Sequence, residues 1–195
     1  MTAVVVGLGN PGPEYAQTRH NVGQMVIDEL ARRYNASPSR NKKTNCSEAS
    51  IRIGGAGSSG VAVAIAKPMS YMNLSGGPVS SLVKYYSVEP AAVVVIHDEL
   101  DVDFGAIRLK SGGGSAGHNG LKDITKALGT PDFTRVRVGV GRPPGSQAAA
   151  DYVLKPFSAT ERKELDLVVA LAADAVEDLL TKGLADAQQR FHSAG

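Results

Sequence analysis

The chain has 195 residues, of which 43% are hydrophobic and 21% charged, a single-domain length at which folding hides roughly 70% of the surface an extended chain exposes. That composition excludes long disorder, collagen and coiled coil, and the lone cysteine, Cys46, excludes an internal disulfide and any CxxC metal or redox motif. The net charge of +2 is uneven: residues 104–142 carry seven Lys or Arg against Asp123 and Asp132, a local +5, and the remainder sums to −3. A basic field of that kind selects polyanions such as RNA, or it is a solvated surface with chance clustering.

In chain order, apolar strand-like runs alternate with helical periodicity. Strands are expected near 2–8, 46–54, 61–66, 91–97, 105–110 and 133–140. Val22, Met25, Val26, Leu30 and Tyr34 recur at helical spacing, so the first long helix starts around Thr18 to Asn21. Further helices are expected over 74–86 and 118–128. The last one opens on a capping box, Ser158 with Glu161, buries a stripe from Leu165 to Leu180 and stops at Gly183, giving a C-terminal helix over 158–183. The Gly/Ser-rich stretch 54–60 reads as a hairpin turn, and GRPPGSQAAA at 141–150 as the start of a lid extending to 157. No internal repeat or second domain is visible. Apolar runs such as Ala91 to Ile96 are too short to span a bilayer, and MTAVVVGLG carries no basic leader, which together with the cysteine usage fits the cytoplasm.

Two familiar strings occur literally. Gly7-Leu8-Gly9-Asn10-Pro11-Gly12 is a GxGxxG after an apolar strand, yet a dinucleotide site needs the helix to begin inside that fingerprint, and Pro11, Gly12 and Pro13 delay it. Gly113-Gly114-Ser115-Ala116-Gly117 satisfies the GxSxG nucleophile elbow, and Asp151 with His192 completes a formal serine-esterase triad. His192, however, lies three residues from the C-terminus, and the preceding strand carries Arg108 and Lys110. That completion is poor, and the serine esterase stays as runner-up to Ser115 as a small residue in a Gly-rich turn.

A stronger constellation emerges at strand ends. Asn10 follows the first strand, Asn73 lies past the strand ending at Ala66, Asp98 follows Val93 to Ile96, and Asn119 opens a helix. Sites in open α/β sheets form outside the carboxyl ends of strands. His20 opens the first long helix, whose positive dipole end favours a neutral imidazole, and Asp98 is suited to orient it for activating water. His97 and His118 compete as bases, with His97 expected on the face opposite Asp98. Each residue also has a structural reading: Asn10 as a turn, Asn73 and Asn119 as helix caps, Asp98 as one exposed acid of HDELDVD. No HExxH or His/Cys pair with ligand spacing suggests a metal.

Taken in order from residue 4 to 157, VVGLGNPGPEYAQTRHNVG, KPMSYMNLSG, HDELD, GAIRLKSGGGSAGHNGLKDI, FTRVRVGVGRP and DYVLKPF closely resemble bacterial-type peptidyl-tRNA hydrolase. The resemblance implies a monomeric, single-domain α/β enzyme with a twisted mixed, largely parallel β-sheet flanked by helices and no metal or other cofactor. It also implies hydrolysis of the ester joining a peptide to the 3′-terminal ribose of tRNA, which recycles tRNA from abandoned translation. Carried over, His20 is the general base and Asp98 its orienter; Asn10, Asn73 and Asn119 line the crevice and bind ester carbonyl, water and peptide backbone. Tyr15 and Met72 shape the same pocket, while Lys110 and Arg137 clamp tRNA phosphate. A non-catalytic RNA-binding relative that keeps the basic patch is the third reading, and it predicts loss of His20 or Asp98, both of which are present.

Overall fold

The computed structural model describes residues 2–54 and 60–192. A seven-stranded sheet with the order β2-β3-β4-β1-β5-β7-β6 forms its centre. The strands are β1 (Thr2–Gly7), β2 (Ser39–Asn41), β3 (Cys46–Ile53), β4 (Val61–Pro68), β5 (Val93–Glu99), β6 (Ile107–Ser111) and β7 (Thr134–Gly139). β4, β1, β5 and β7 run parallel; β2, β3 and β6 are added antiparallel at the two sides. This is the mixed, largely parallel sheet expected, and its inner strands read as continuous apolar runs because both faces are covered.

One face packs Val5, Ile65, Val94, Ile96, Val136 and Val138 against helix α1 (Val22–Arg33) and the long α5 (Ala159–Lys182). The other packs Val4, Val6, Ala64, Val93 and Val95 with Leu82 of α2 (Gly76–Tyr85) and Leu121 and Ile124 of α3 (Asn119–Leu128). Alternate residues of β1 and β5 thus go to opposite cores, as the two-residue strand period requires. The capping box at Ser158 and Glu161 is formed, and Gly183 ends α5 with a φ of 95°.

Three elements escape the sequence pattern. β2 is only Ser-Arg-Asn, polar and largely exposed, and takes its strand geometry from β3. The short α4 (Ala149–Val153) and the terminal α6 (Leu184–His192) were expected as lid and tail. α6 carries only two buried side chains, Ala187 and Phe191, too few for a periodic signal. The first helix begins as a single 3-10 turn, Arg19–Asn21, before α1 proper. Most of the expected turn at 54–60 lies outside the described residues, but its flanks pair antiparallel with Ile53 opposite Val61.

Candidate active site

The first glycine of the GxGxxG string serves packing. Gly7 ends β1 against Gly23 in the first turn of α1, and a β-carbon on either would strike backbone: Gly7 that of Gly23, Gly23 the carbonyl of Ile96. This close approach lets α1 lie directly on the β1–β5 seam. Leu8 N–H then extends the β5 ladder to Ile96 O at 3.0 Å. The next residues are seized by Asn21, whose Oδ1 accepts Asn10 N–H and whose Nδ2 donates to Asn10 O, both at 2.9 Å. Asn10 Oδ1 in turn accepts Met72 N–H at 2.7 Å. Asn10 is therefore fixed on three sides, and its Nδ2 is the group with hydrogens to spare.

Asn10, His20, Met72, Asn73, Asp98, His118 and Asn119 line one cleft of about 470 Å³, closed on its far side by Arg142 and by Ala149, Ala150, Val153 and Leu154 of α4 and its end. Seven of the residues singled out by sequence or competing with them thus meet beyond the carboxyl ends of β1, β4 and β5, where open α/β sheets place their sites. Tyr15 stands outside this lining, its ring edge-on to exposed Tyr71 at 6.4 Å.

At the floor, Asp98 is 3% exposed and uses both carboxylate oxygens. His20 Nδ1 lies 2.8 Å from Oδ2, and His118 Nε2 lies 2.9 Å from Oδ1. Burial pushes the Asp98 carboxyl up, but the two imidazoles outweigh it and hold it below the usual carboxylate range. His118 also caps α3, its Nδ1 accepting Leu121 N–H at 3.3 Å, so both of its nitrogens are engaged. His97 donates Nδ1–H to Asp98 O at 2.7 Å and is 1% exposed. It stands edge-on to His118, with ring centroids 5.0 Å apart. Burial, and then the neighbouring His118, lower His97 to about 3, so it stays neutral. Among the described residues, only His20 combines a ring nitrogen without a partner, Nε2, with a side chain that reaches the cleft, at 15% exposure. His20 Nδ1, Asp98 and His118 Nε2 lie within 4.8 Å of one another, near enough to share a cation, but one bound there would displace both N–H···O bonds.

The GxSxG string folds differently from an elbow. Gly113 and Gly117 take φ of 97° and 82°, and the Gly113 and Gly114 carbonyls accept from the guanidinium of Arg135, which lies over the Phe133 ring. Ser115 uses its carbonyl to hold His118 N–H at 2.8 Å. His192 Nε2 accepts Leu109 N–H at 2.9 Å, so it is not available to Ser115. Arg135, counted in the basic segment, is 1% exposed and braces this turn, so it is withdrawn from the surface charge. Lys110 and Arg137 stay half-buried on one face of β6 and β7, outside the cleft lining. Lys110 Nζ lies over Gly113, 2.6 Å from where a β-carbon would stand.

Two site features were missed in the sequence. Asn21 looked like a helix start, though an amide eleven residues from Asn10 at the helix mouth was the available signal. Arg19 is buried beside His20: it donates to Glu161 Oε1 at 2.7 Å and Tyr152 O at 3.1 Å, with its guanidinium 3.8 Å from the Tyr152 ring centroid. Nothing local in the sequence announces those partners.

Residues 4–195 match the family model for peptidyl-tRNA hydrolase. The chain is 58% identical over 192 residues to a peptidyl-tRNA hydrolase of Kineococcus radiotolerans, covering 97% of this chain and 96% of that one. It is 59% identical over 192 residues to that of Leifsonia xyli, covering 98% and 97%. The crystal structure of peptidyl-tRNA hydrolase from Acinetobacter baumannii superposes with a TM-score of 0.85 at 38% identity, over 97% of this chain and 94% of that one. With fold, motifs and nearly full-length identity in agreement, the chain belongs to the peptidyl-tRNA hydrolase family.

Proposed function

We propose that the protein hydrolyses the ester between a peptide and the 3′-terminal ribose of tRNA, using a water activated by His20. The observation that carries this reading is the division of labour among three histidines: His118 has both nitrogens engaged, His97 is sealed in the interior, and His20 has Nε2 left for water. With Nδ1–H given to Asp98, His20 Nε2 takes a proton as the water oxygen attacks the ester carbonyl. The Asp98 carboxylate stabilises the imidazolium that forms. Amide N–H groups of Asn10, Asn73 and Asn119 stabilise the oxyanion and hold the peptide backbone, to which an amide can both donate and accept. Collapse of the tetrahedral intermediate breaks the bond to the 3′ oxygen, which takes the proton back from His20 and leaves as tRNA; the peptide, formed as its carboxylic acid, gives the water's second proton to solvent and leaves as its carboxylate. An ester is activated enough that no covalent nucleophile is needed.

Met72 shapes the peptide side from the cleft lining and Tyr15, with Tyr71, from outside it, Lys110 and Arg137 receive tRNA phosphates, and residues 141–157 act as a lid. The protein works as a cytoplasmic monomer without a metal, in recycling tRNA from abandoned translation. Among the described residues no helix is long and apolar enough to cross a membrane.

The test is release of N-acetyl-aminoacyl groups from tRNA in EDTA by the wild type, His20→Ala and Ser115→Ala. Loss of about 10²–10⁴-fold in His20→Ala alone is expected. Loss in Ser115→Ala with intact folding would establish a covalent nucleophile instead. Inactivity in EDTA reversed by a divalent cation would return the His20–Asp98–His118 cluster to metal chemistry. Tight tRNA binding without turnover would mark an RNA-binding relative.

A further inference from the structure

β6 is one of the two terminal strands of the sheet, five residues long and, among the described residues, paired with β7 alone, yet it carries Arg108 and Lys110 on one face. An edge strand leaves every second N–H and C=O without a ladder partner. Here the outward groups of Leu109 are taken by side chains of α6. His192 Nε2 accepts Leu109 N–H at 2.9 Å, and Gln188 Nε2 donates to Leu109 O at 3.0 Å. Residues four apart share one helix face, so the two side chains straddle a single peptide unit pair as a neighbouring strand would. Arg108 answers from the strand, Nη1 donating to Phe191 O at 3.2 Å. Phe191 and Ala187 bury the helix beneath these bonds. The residue so held, Leu109, is fully buried in the core; the next, Lys110, projects from the opposite face.

We propose that Gln188 and His192 are positioning residues for tRNA binding: by standing in for a missing strand at Leu109 they hold β6, and with it the ammonium of Lys110, where a backbone phosphate is received. This rests on the reading of Lys110 and Arg137 as phosphate contacts. A phosphate pulling on Lys110 loads a strand that has a ladder partner on one side alone, so bracing its free edge keeps the lysine's stem pre-placed. The acceptor role requires His192 to be unprotonated at Nε2. Burial and the flanking cations Arg108 and Arg137 keep it so, lowering the imidazole from its ordinary range.

The experiment measures KM and kcat on peptidyl-tRNA, kcat/KM on a minimal N-acyl-aminoacyl ester lacking the tRNA body, and hydrogen exchange at the Leu109 amide. The proteins are wild type, His192→Ala, His192→Gln, Gln188→Ala and Lys110→Ala. His192→Ala is expected to speed Leu109 exchange, raise KM for peptidyl-tRNA about 3- to 10-fold, and flatten its salt dependence, with the minimal ester unaffected. His192→Gln, whose Oε1 can accept the same N–H, restores most of that loss. Gln188→Ala removes only the carbonyl-side bond and shows the same pattern more weakly, which keeps the test alive should His192→Ala fold poorly. Faster exchange with unchanged KM would make α6 a purely structural brace and overturn the inference. A raised KM in Lys110→Ala alone would overturn it while leaving the phosphate reading in place; no change in Lys110→Ala would remove both.

Discussion

One carboxylate serving two imidazoles decides the chemistry available at the floor of the cleft. Because His118 accepts Leu121 N–H at Nδ1, its proton must sit on Nε2, facing Asp98 Oδ1. Asp98 Oδ2 is then left for the Nδ1–H of His20. An asparagine at this position offers one oxygen and one NH₂. Its oxygen would go to His118, whose tautomer is pinned, and its NH₂ would face His20 Nδ1. That forces the His20 proton onto Nε2, the nitrogen that the proposed mechanism uses as base. Asp98→Asn is therefore expected to lower kcat by about 10²–10⁴-fold with KM little changed. Steady-state kinetics on an N-acetyl-aminoacyl-tRNA decide it, and a wild-type kcat would free Asp98 from the mechanism.

At the scale of elements, the segment Thr18–Asn21 is where α1, the cleft and the C-terminal half are joined. Thr18 bridges Pro156, Arg19 N–H donates to Lys155 O at 3.1 Å, and Arg19 reaches Tyr152 and the same Glu161 that closes the capping box of α5. Val153 and Leu154, between these contacts, form the wall facing His20. Arg19→Met keeps the stem's packing but removes the guanidinium from Glu161 and the Tyr152 carbonyl, leaving them the N–H groups of Ser158 and Lys155. It is expected to cost about 1.5–3 kcal/mol, the range for a hydrogen bond to a charged group, read as a lower urea midpoint. Glu161→Gln, which keeps a neutral acceptor, should cost less. Equal stability of Arg19→Met and wild type would show that the wall is held by packing alone.

Across the whole molecule, the buried polar layer predicts how stability responds to acid. Burial, helped by His118, holds His97 down near 3, whereas the unfolded chain binds a proton there below about 6.5. Asp98 is also held below its ordinary range, so it too is protonated more readily in the unfolded state. Both groups have the same sign: stability is full above about pH 6.5 and is lost as pH falls, first through His97 and, below about pH 4, through Asp98 as well. Denaturant unfolding from pH 7 to pH 5 should show a decline of up to ~1.4 kcal/mol per pH unit from His97. That decline is expected to vanish in His97→Gln; a flat wild-type profile would mean His97 is protonated in the fold.

Much of this architecture was legible in the chain itself. The apolar runs of β1, β4 and β5 are unbroken because both faces are covered; Ser158 with Glu161 marks the start of α5; and the strand-end asparagines and Asp98 stand where an α/β sheet opens a cleft. These are local signals, carried by neighbours within a turn or a strand. Tertiary structure alone decided which histidine keeps a lone pair, since His20 and Asp98 are 78 residues apart and His118 adds the third partner. It also decided that Arg135 is an internal brace while Lys110 stays half-buried at the surface, and that a tail with little periodicity finishes the sheet edge 83 residues away, from His192 to Leu109. The type of residue sets what a side chain is able to do; its remaining free atoms depend on contacts that exist only once distant segments have packed.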